Sequence, residues 1–134
     1  MGSFEILHIE KLGDHRGSLV AIESNNNIPF TLKRIYYLFN TNVNESRGFH
    51  AHRNLEQLLV CVHGSCEIKV ENNEQIAWFN LDSPTKGLYI KDLVWREMHK
   101  FSHDCVLLVV ASQEYDELDY IRDYSEFKKV LNHE

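Results

Sequence analysis

A chain of 134 residues with 43% hydrophobic residues, 25% charged residues and a formal net charge of −6 is long enough for one domain with a real core and too short for two. Those fractions exclude wholesale disorder, and the acidic balance excludes a nucleic-acid partner, which needs a basic face. The longest apolar runs, Leu58–Val62 and Cys105–Ala111, fall far short of the roughly 20 residues that cross a bilayer, so no membrane partner is expected. The first residues, Met1-Gly2-Ser3-Phe4-Glu5, put no basic patch ahead of an apolar stretch, and no signal peptide is expected either. Cys61, Cys66 and Cys105 are odd in number and lie in apolar surroundings without a CxxC spacing. They read as reduced core thiols of a cytoplasmic protein, not as a disulfide frame or a zinc site. Residues 113–134 hold seven acids against three bases, an acidic tail that is most simply a solvated face.

Most of the chain patterns as short strands. Ser18–Glu23 alternates loosely, and Lys33–Asn40 is rich in aromatic and β-branched residues, as half-buried strands are. Gln57–His63 is a continuous apolar run closed by Gly64. In Ser65–Glu71, Cys66, Ile68 and Val70 face one way while Glu67, Lys69 and Glu71 face the other. Asn72-Asn73 predicts a hairpin turn into Gln75–Leu81, since Asn tolerates positive φ. Asp82-Ser83-Pro84 and Gly87 punctuate a loop before Leu88–Ile90, and Cys105–Ala111 supplies one more buried strand. Only the end is helical in pattern: Ile121, Tyr124, Phe127 and Leu131 recur at spacings of three and four and predict a helix over 119–131. Many short strands and one terminal helix predict a single all-β domain over 1–134, a jelly-roll β-sandwich or barrel with a short C-terminal α-helix.

The densest polar constellation is Arg47-Gly48-Phe49-His50-Ala51-His52, followed by Glu56-Gln57. In a strand, His50 and His52 project to one face. Two adjacent imidazoles suit metal binding or proton transfer near neutral pH. HxH followed by Glu56 resembles the first metal motif of the cupin superfamily. Pro84–Tyr89, where such cupins usually add a later ligand, has no His, and the flanks of His99 and His103 suggest a turn. A metal-free site is therefore expected, with no cofactor. His8, His15, His63 and His133 have no polar company and read as bystanders.

The stretches Asp14-x-Arg16-Gly17-Ser18-Leu19, Ile28-Pro29-Phe30, Lys33-Arg34-Ile35-Tyr36-Tyr37, Arg47-Gly48-Phe49-His50-Ala51-His52, Leu81-Asp82-Ser83-Pro84, Gly87-Leu88-Tyr89-Ile90, Val94-Trp95 and Asp119-Tyr120-Ile121-Arg122-Asp123-Tyr124 occur in that order. Together, from about Asp14 to Phe127, they resemble the sugar-nucleotide 3,4-ketoisomerases of the cupin superfamily. The resemblance implies a cupin jelly roll and a homodimer, with N-terminal strands (within residues 1–25) exchanged between subunits. It implies no metal, and dTDP-4-keto-6-deoxy-D-glucose as substrate. The product would carry its ketone at C3, ready for amination to a 3-amino-3,6-dideoxysugar in surface-glycan biosynthesis.

Within that resemblance His50 and His52 are the expected proton carriers; the working assignment gives His52 the C3 proton and His50 the transfer at C4 or between the oxygens, and the sequence leaves open which is base and which is acid. Tyr37 is the third catalytic candidate, as a phenol inside the barrel, while Tyr36 points to the opposite face and packs. Arg47 offers a planar fork for a diphosphate or an enolate oxygen. Arg34, Lys86 and Arg16 are further candidates for phosphate or sugar contacts. Trp95 is a candidate for stacking on sugar or thymine, with a buried structural role as its equal alternative. Gln57 is a candidate for orienting a histidine or the sugar. The family's galacto-product branch has Arg at the position of Arg16 and His at that of Arg96, and the gluco branch has Tyr and Arg. This chain has Arg16 and Arg96, one from each set, and Arg96 joins the substrate-binding candidates. A cupin-type sugar-nucleotide epimerase, a non-catalytic sugar-nucleotide-binding cupin and a metal-dependent dioxygenase are the competing readings.

Overall fold

The computed structural model describes residues 1–133. Two five-stranded antiparallel sheets lie face to face. The first runs β1 (Ser3–His8), β9 (Lys86–Lys91), β6 (Glu56–His63), β11 (Val106–Ala111), β4 (Arg34–Leu38). The second runs β12 (Tyr120–Ile121), β5 (Arg47–His52), β10 (Trp95–His99), β7 (Cys66–Glu71), β8 (Ile76–Leu81). A separate hairpin pairs β2 (Leu12–Asp14) with β3 (Gly17–Leu19), and α1 (Tyr124–Asn132) closes the chain. This is the expected jelly roll, and no described helix is long and apolar enough to cross a membrane.

Between the sheets lie Leu59, Cys61, Ile68, Val70, Leu88, Ile90, Met98, Leu107 and Val109. The outer face of the first sheet is covered in part by the loop carrying Ile28 and Phe30, which pack on Leu58, Val60, Tyr89 and Val110. Burial on both faces explains why β6 and β11 are unbroken apolar runs in the sequence, whereas β7 alternates cleanly. On the outer face of the second sheet, Phe127 and Leu131 of α1 pack against Ala51, Trp95 and Ile121.

Three elements differ from the expectation. Of Ser18–Glu23 only Ser18 and Leu19 are in a strand, β3; residues 20–23 leave it, and the Asn27 side chain takes the Glu23 N–H. β10 was hidden because a fully buried Arg96 sits on its inner face, which breaks the apolar alternation. The helix starts at Tyr124, where Asp123 caps the Ser125 and Glu126 N–H groups. Residues 119–121, expected to be helical, instead end a 3-10 turn capped by Asp116 and then pair with β5, Tyr120 opposite His52 and Ile121 opposite Ala51. Ile121 is buried either way, so periodicity could not separate the two outcomes.

A β-bulge positions the functional strand. Arg96 pairs with His50, Glu97 with Gly48 and Met98 with Arg47, which leaves Phe49 as an extra residue. Arg47 and His50, three apart and normally on opposite faces, are thereby turned to the same inner side. Gly48 has φ +88°, and a Cβ there would stand 3.2 Å from the Arg96 carbonyl oxygen. Gly48→Ala is expected to cost about 1–2 kcal/mol through the left-handed conformation. Denaturant titration reads that cost, and a parallel drop in activity reports the lost aim of Arg47.

Candidate active site

The site opens at the end of the sandwich where β5 leads towards β6 and where residues 113–122 cross over. His50 and His52, on the inner face of β5, stand with ring centroids 4.9 Å apart and nearly perpendicular. The His52 Nδ1 is 3.0 Å from Asp119 Oδ2. The other Asp119 oxygen accepts the N–H groups of Arg53 at 3.1 Å and Asn54 at 2.8 Å, so the carboxylate is held from both sides. A carboxylate only accepts, so Nδ1 carries the ring proton and Nε2 keeps the lone pair. That Nε2 is buried and has no hydrogen-bond partner among the described residues.

Tyr120 lies against both imidazoles, 4.4 Å from the His52 ring and 5.1 Å from that of His50, with the Arg122 guanidinium 4.2 Å from its own ring. Behind the histidines, Arg96 is 1% exposed. It donates to the Gln57 side-chain oxygen and to the Val94 carbonyl, and no carboxylate pairs with it among the described residues. Gln57 passes the link on, its amide donating to the Tyr36 hydroxyl at 3.2 Å. Burial lowers the Arg96 pKa to about 10, which still leaves it charged at neutral pH. Burial and then that charge hold His50 down at about 3, and the same two causes push His52 lower still. Both rings rest neutral, as bases must.

Two cavities meet here. One, of about 460 Å³, is lined by Arg34, Tyr36, Arg47, His50, Tyr120 and Arg122 among others. The other, of about 770 Å³, reaches His52, Arg34, Arg53, Tyr115, Asp119 and Tyr120. Arg34 borders both, with its Nε buried and unpartnered among the described residues, a donor left for a ligand. The Tyr89 hydroxyl donates to Glu56, the carboxylate that follows the histidine pair in the cupin-like motif. Among the described residues, the group of three ligand-type side chains close enough to share an ion consists of cysteines elsewhere.

The family model described as WxcM-like, C-terminal (FdtA) matches residues 2–132. The chain belongs to this family. It is 54% identical over 127 residues to the TDP-4-oxo-6-deoxy-alpha-D-glucose-3,4-oxoisomerase of Aneurinibacillus thermoaerophilus, covering 95% of this chain and 91% of that protein. It is similar to a histidine-to-asparagine mutant of the 3,4-ketoisomerase QdtA from Thermoanaerobacterium thermosaccharolyticum, crystallised in complex with TDP-4-keto-6-deoxyglucose. That match has a TM-score of 0.94 and 38% identity, over 97% of this chain and 94% of that one. A 3,4-ketoisomerase from Helicobacter canadensis matches with a TM-score of 0.93 and 45% identity, over 96% and 97% of the two chains.

In this FdtA-family chain the fold brings His50, His52, Arg34, Arg47, Gln57 and Arg96 into one place. Four other candidates stand apart from that cluster within this chain. Tyr37 borders the smaller cavity but is 61% exposed, because the register opposite Leu108 turns its ring outward; Tyr36, opposite the buried Val109, is the phenol that faces the interior. Trp95 is 3% exposed, packed against Tyr124 and Phe127, with its indole N–H on Glu97, so no face is left for a ligand. Lys86 pairs with Asp82. It sits four residues along β9 from Ile90, the partner of Gln57, and so about 13 Å from the site. Arg16 is 80% exposed in the β2–β3 hairpin, forked onto Asp14. His99, expected in a turn, ends β10 and bonds Ser46 and Glu97.

The residues missed were Asp119, Tyr120, Arg122 and Tyr115. The motif of the first three was visible, but a helical reading of 119–131 sent them away from β5; Tyr115 lay outside every motif. Asp119→Asn keeps the size of the side chain but removes the charge that fixes the His52 tautomer. It is expected to lower kcat by roughly 10- to 100-fold with little change in KM. Steady-state kinetics on the ketosugar reads the split, and an unchanged kcat would dismiss Asp119 as a positioning residue.

Proposed function

We propose that the protein is an isomerase, a sugar-nucleotide 3,4-ketoisomerase that converts dTDP-4-keto-6-deoxy-D-glucose into a dTDP-3-keto-6-deoxyhexose. The observation that carries this reading is the neutral His50–His52 pair, with His52 braced by Asp119 and facing the uncompensated charge of Arg96. Moving the ketone from C4 to C3 requires a proton to leave C3, a proton to reach C4, and hydrogen to pass from the C3 hydroxyl to the former carbonyl oxygen. His52 Nε2 takes the C3 proton, and Asp119 supports the imidazolium that forms. The electron pair left on C3 moves into the C3–C4 bond and out to the C4 oxygen, giving an enediolate. Arg96 opposes the negative charge that grows there. His50 serves the oxygens and the return of a proton to C4. Of the phenols, Tyr36 and Tyr120 are placed to hydrogen-bond the sugar. Arg47 and Arg34, at the cavity mouth, suit the diphosphate.

We further propose a homodimer through the outer face of the first sheet, where Ile35, Tyr37, Phe39 and Val62 are exposed apolar residues, together with Leu19 of the β2–β3 hairpin. β1 is hydrogen-bonded to β9 of its own chain, so strand exchange narrows to the exposed β2–β3 hairpin, which would carry Arg16 to the partner's site. The cytoplasm remains the proposed compartment, consistent with three free, buried cysteines.

The test is incubation with dTDP-4-keto-6-deoxyglucose in D₂O followed by proton NMR of the ring. A ketone relocated to C3 with deuterium at C4 is expected. Inversion of a stereocentre with the ketone still at C4 would favour the epimerase reading, and tight binding without deuterium uptake would favour a non-catalytic module.

A further inference from the structure

Cys61 on β6, Cys66 at the start of β7 and Cys105 just before β11 come from three segments, yet their sulfurs all lie within 4.8 Å of one another. The three side chains are 0%, 1% and 1% exposed. Cys61 and Cys105 are 3.5 Å apart at sulfur, and the Cys61 thiol also points to the His63 carbonyl at 3.1 Å. A thiophilic ion held at about 2.3 Å from each of three sulfurs sets them about 3.8–4.0 Å apart, so closure here needs less than about 1 Å of movement. We propose that Cys61, Cys66 and Cys105 form a trithiolate site for a soft d10 cation, of the copper(I) or zinc(II) class. Thiolate sulfur selects such ions over the harder divalent cations. Each thiol that becomes a ligand releases its proton to solvent, so up to three protons leave as one ion enters, and no electron transfer is involved.

The site has its own roof and lies apart from the histidines. Two turns cover it, tied by the Ser65 N–H to the Ser102 hydroxyl and by the Ser102 N–H to the Ser65 carbonyl, each at 2.9 Å. On the outside of these turns His63 and Asp104, 3.4 Å apart and exposed, give an arriving cation a first contact. Cys66 is four residues along β7 from Val70, the partner of Arg96, and therefore about 13 Å from the catalytic layer. Spacing in the sequence pointed away from a metal site because Cys105 joins the other two only through the pairing of β11 with β6.

The test uses the full chain, reduced and kept anaerobic, titrated in parallel with copper(I) against a competing chelator and with zinc(II). Uptake of one equivalent is expected, with an ultraviolet sulfur-to-metal charge-transfer band for copper(I) and a raised Tm. Cys66→Val, which preserves an apolar side chain, and Cys61→Ala are each expected to weaken binding more than tenfold while ketosugar turnover, the check of folding, stays as in the wild type. Absence of stoichiometric uptake by the reduced protein overturns the proposal. So does uptake that survives both substitutions, since it would place the ion on exposed histidines or carboxylates.

Discussion

His52→Asn is expected to cut turnover by about 10²–10⁴-fold, the range a positioned general base contributes. It is also expected to abolish exchange of the C3 proton in D₂O while leaving TDP affinity within about twofold. The physical basis is narrow. An asparagine amide can still donate to Asp119 in place of Nδ1, so the carboxylate keeps a partner and the turn at residues 116–119 keeps its anchor. What disappears is the lone pair at Nε2, which an amide oxygen does not replace as a base. Ring-proton NMR of recovered substrate and calorimetric titration with TDP separate chemistry from binding. His50→Asn provides the contrast: C3 exchange should persist while conversion to the 3-ketone slows. Persistence of exchange in the His52 variant and its loss in the His50 variant would reverse the two assignments.

Stability should fall steeply as pH drops from about 6.5 towards 5. Both imidazoles are held neutral in the fold, by burial first and by Arg96 second, with His50 down at about 3 and His52 lowered further. In the unfolded chain each takes a proton near pH 6.5. Below that pH the unfolded state therefore binds more protons than the folded one, and stability decreases with acidification. The slope approaches about 1.4 kcal/mol per pH unit for each histidine below pH 6.5, so the pair removes about 3 kcal/mol between pH 6.5 and 5. That is a large part of the 5–15 kcal/mol typical of a domain. The window lies above the carboxylate range, so Asp14, Glu97 and Asp123, whose pKa values are lowered, contribute little to it. Urea titrations at several pH values measure the slope. The double variant His50→Asn with His52→Asn should flatten it, and a slope unchanged in that variant would show that the histidines are not its source.

The same burial gives Arg96 two effects. It adds to the burial that keeps both rings unprotonated at rest, and in the proposed mechanism it offsets the negative charge that forms once His52 has taken its proton. An arginine without a carboxylate partner is a costly thing to bury, and Gln57 with the Val94 carbonyl only solvates it.

Sequence by itself determined the strand content, the terminal helix, the polar cluster at 47–52 and, through ordered motifs, the family. These are local or collinear properties: a period of two survives in any register, and HxH puts two rings on one side of any strand. Which side is inside was not local. The pairing of β4 with β11 turned Tyr36 in and Tyr37 out, and the Phe49 bulge brought Arg47 round to the face of His50. Asp119 reaches His52 across 67 positions of chain because Tyr120 and Ile121 add a short strand to β5, where periodicity alone had continued the helix. Arg96, a charge in the middle of a strand, made sense only once the opposite sheet supplied Gln57. Tertiary structure decided these points because side-chain direction depends on register, and register is set by partners far along the chain.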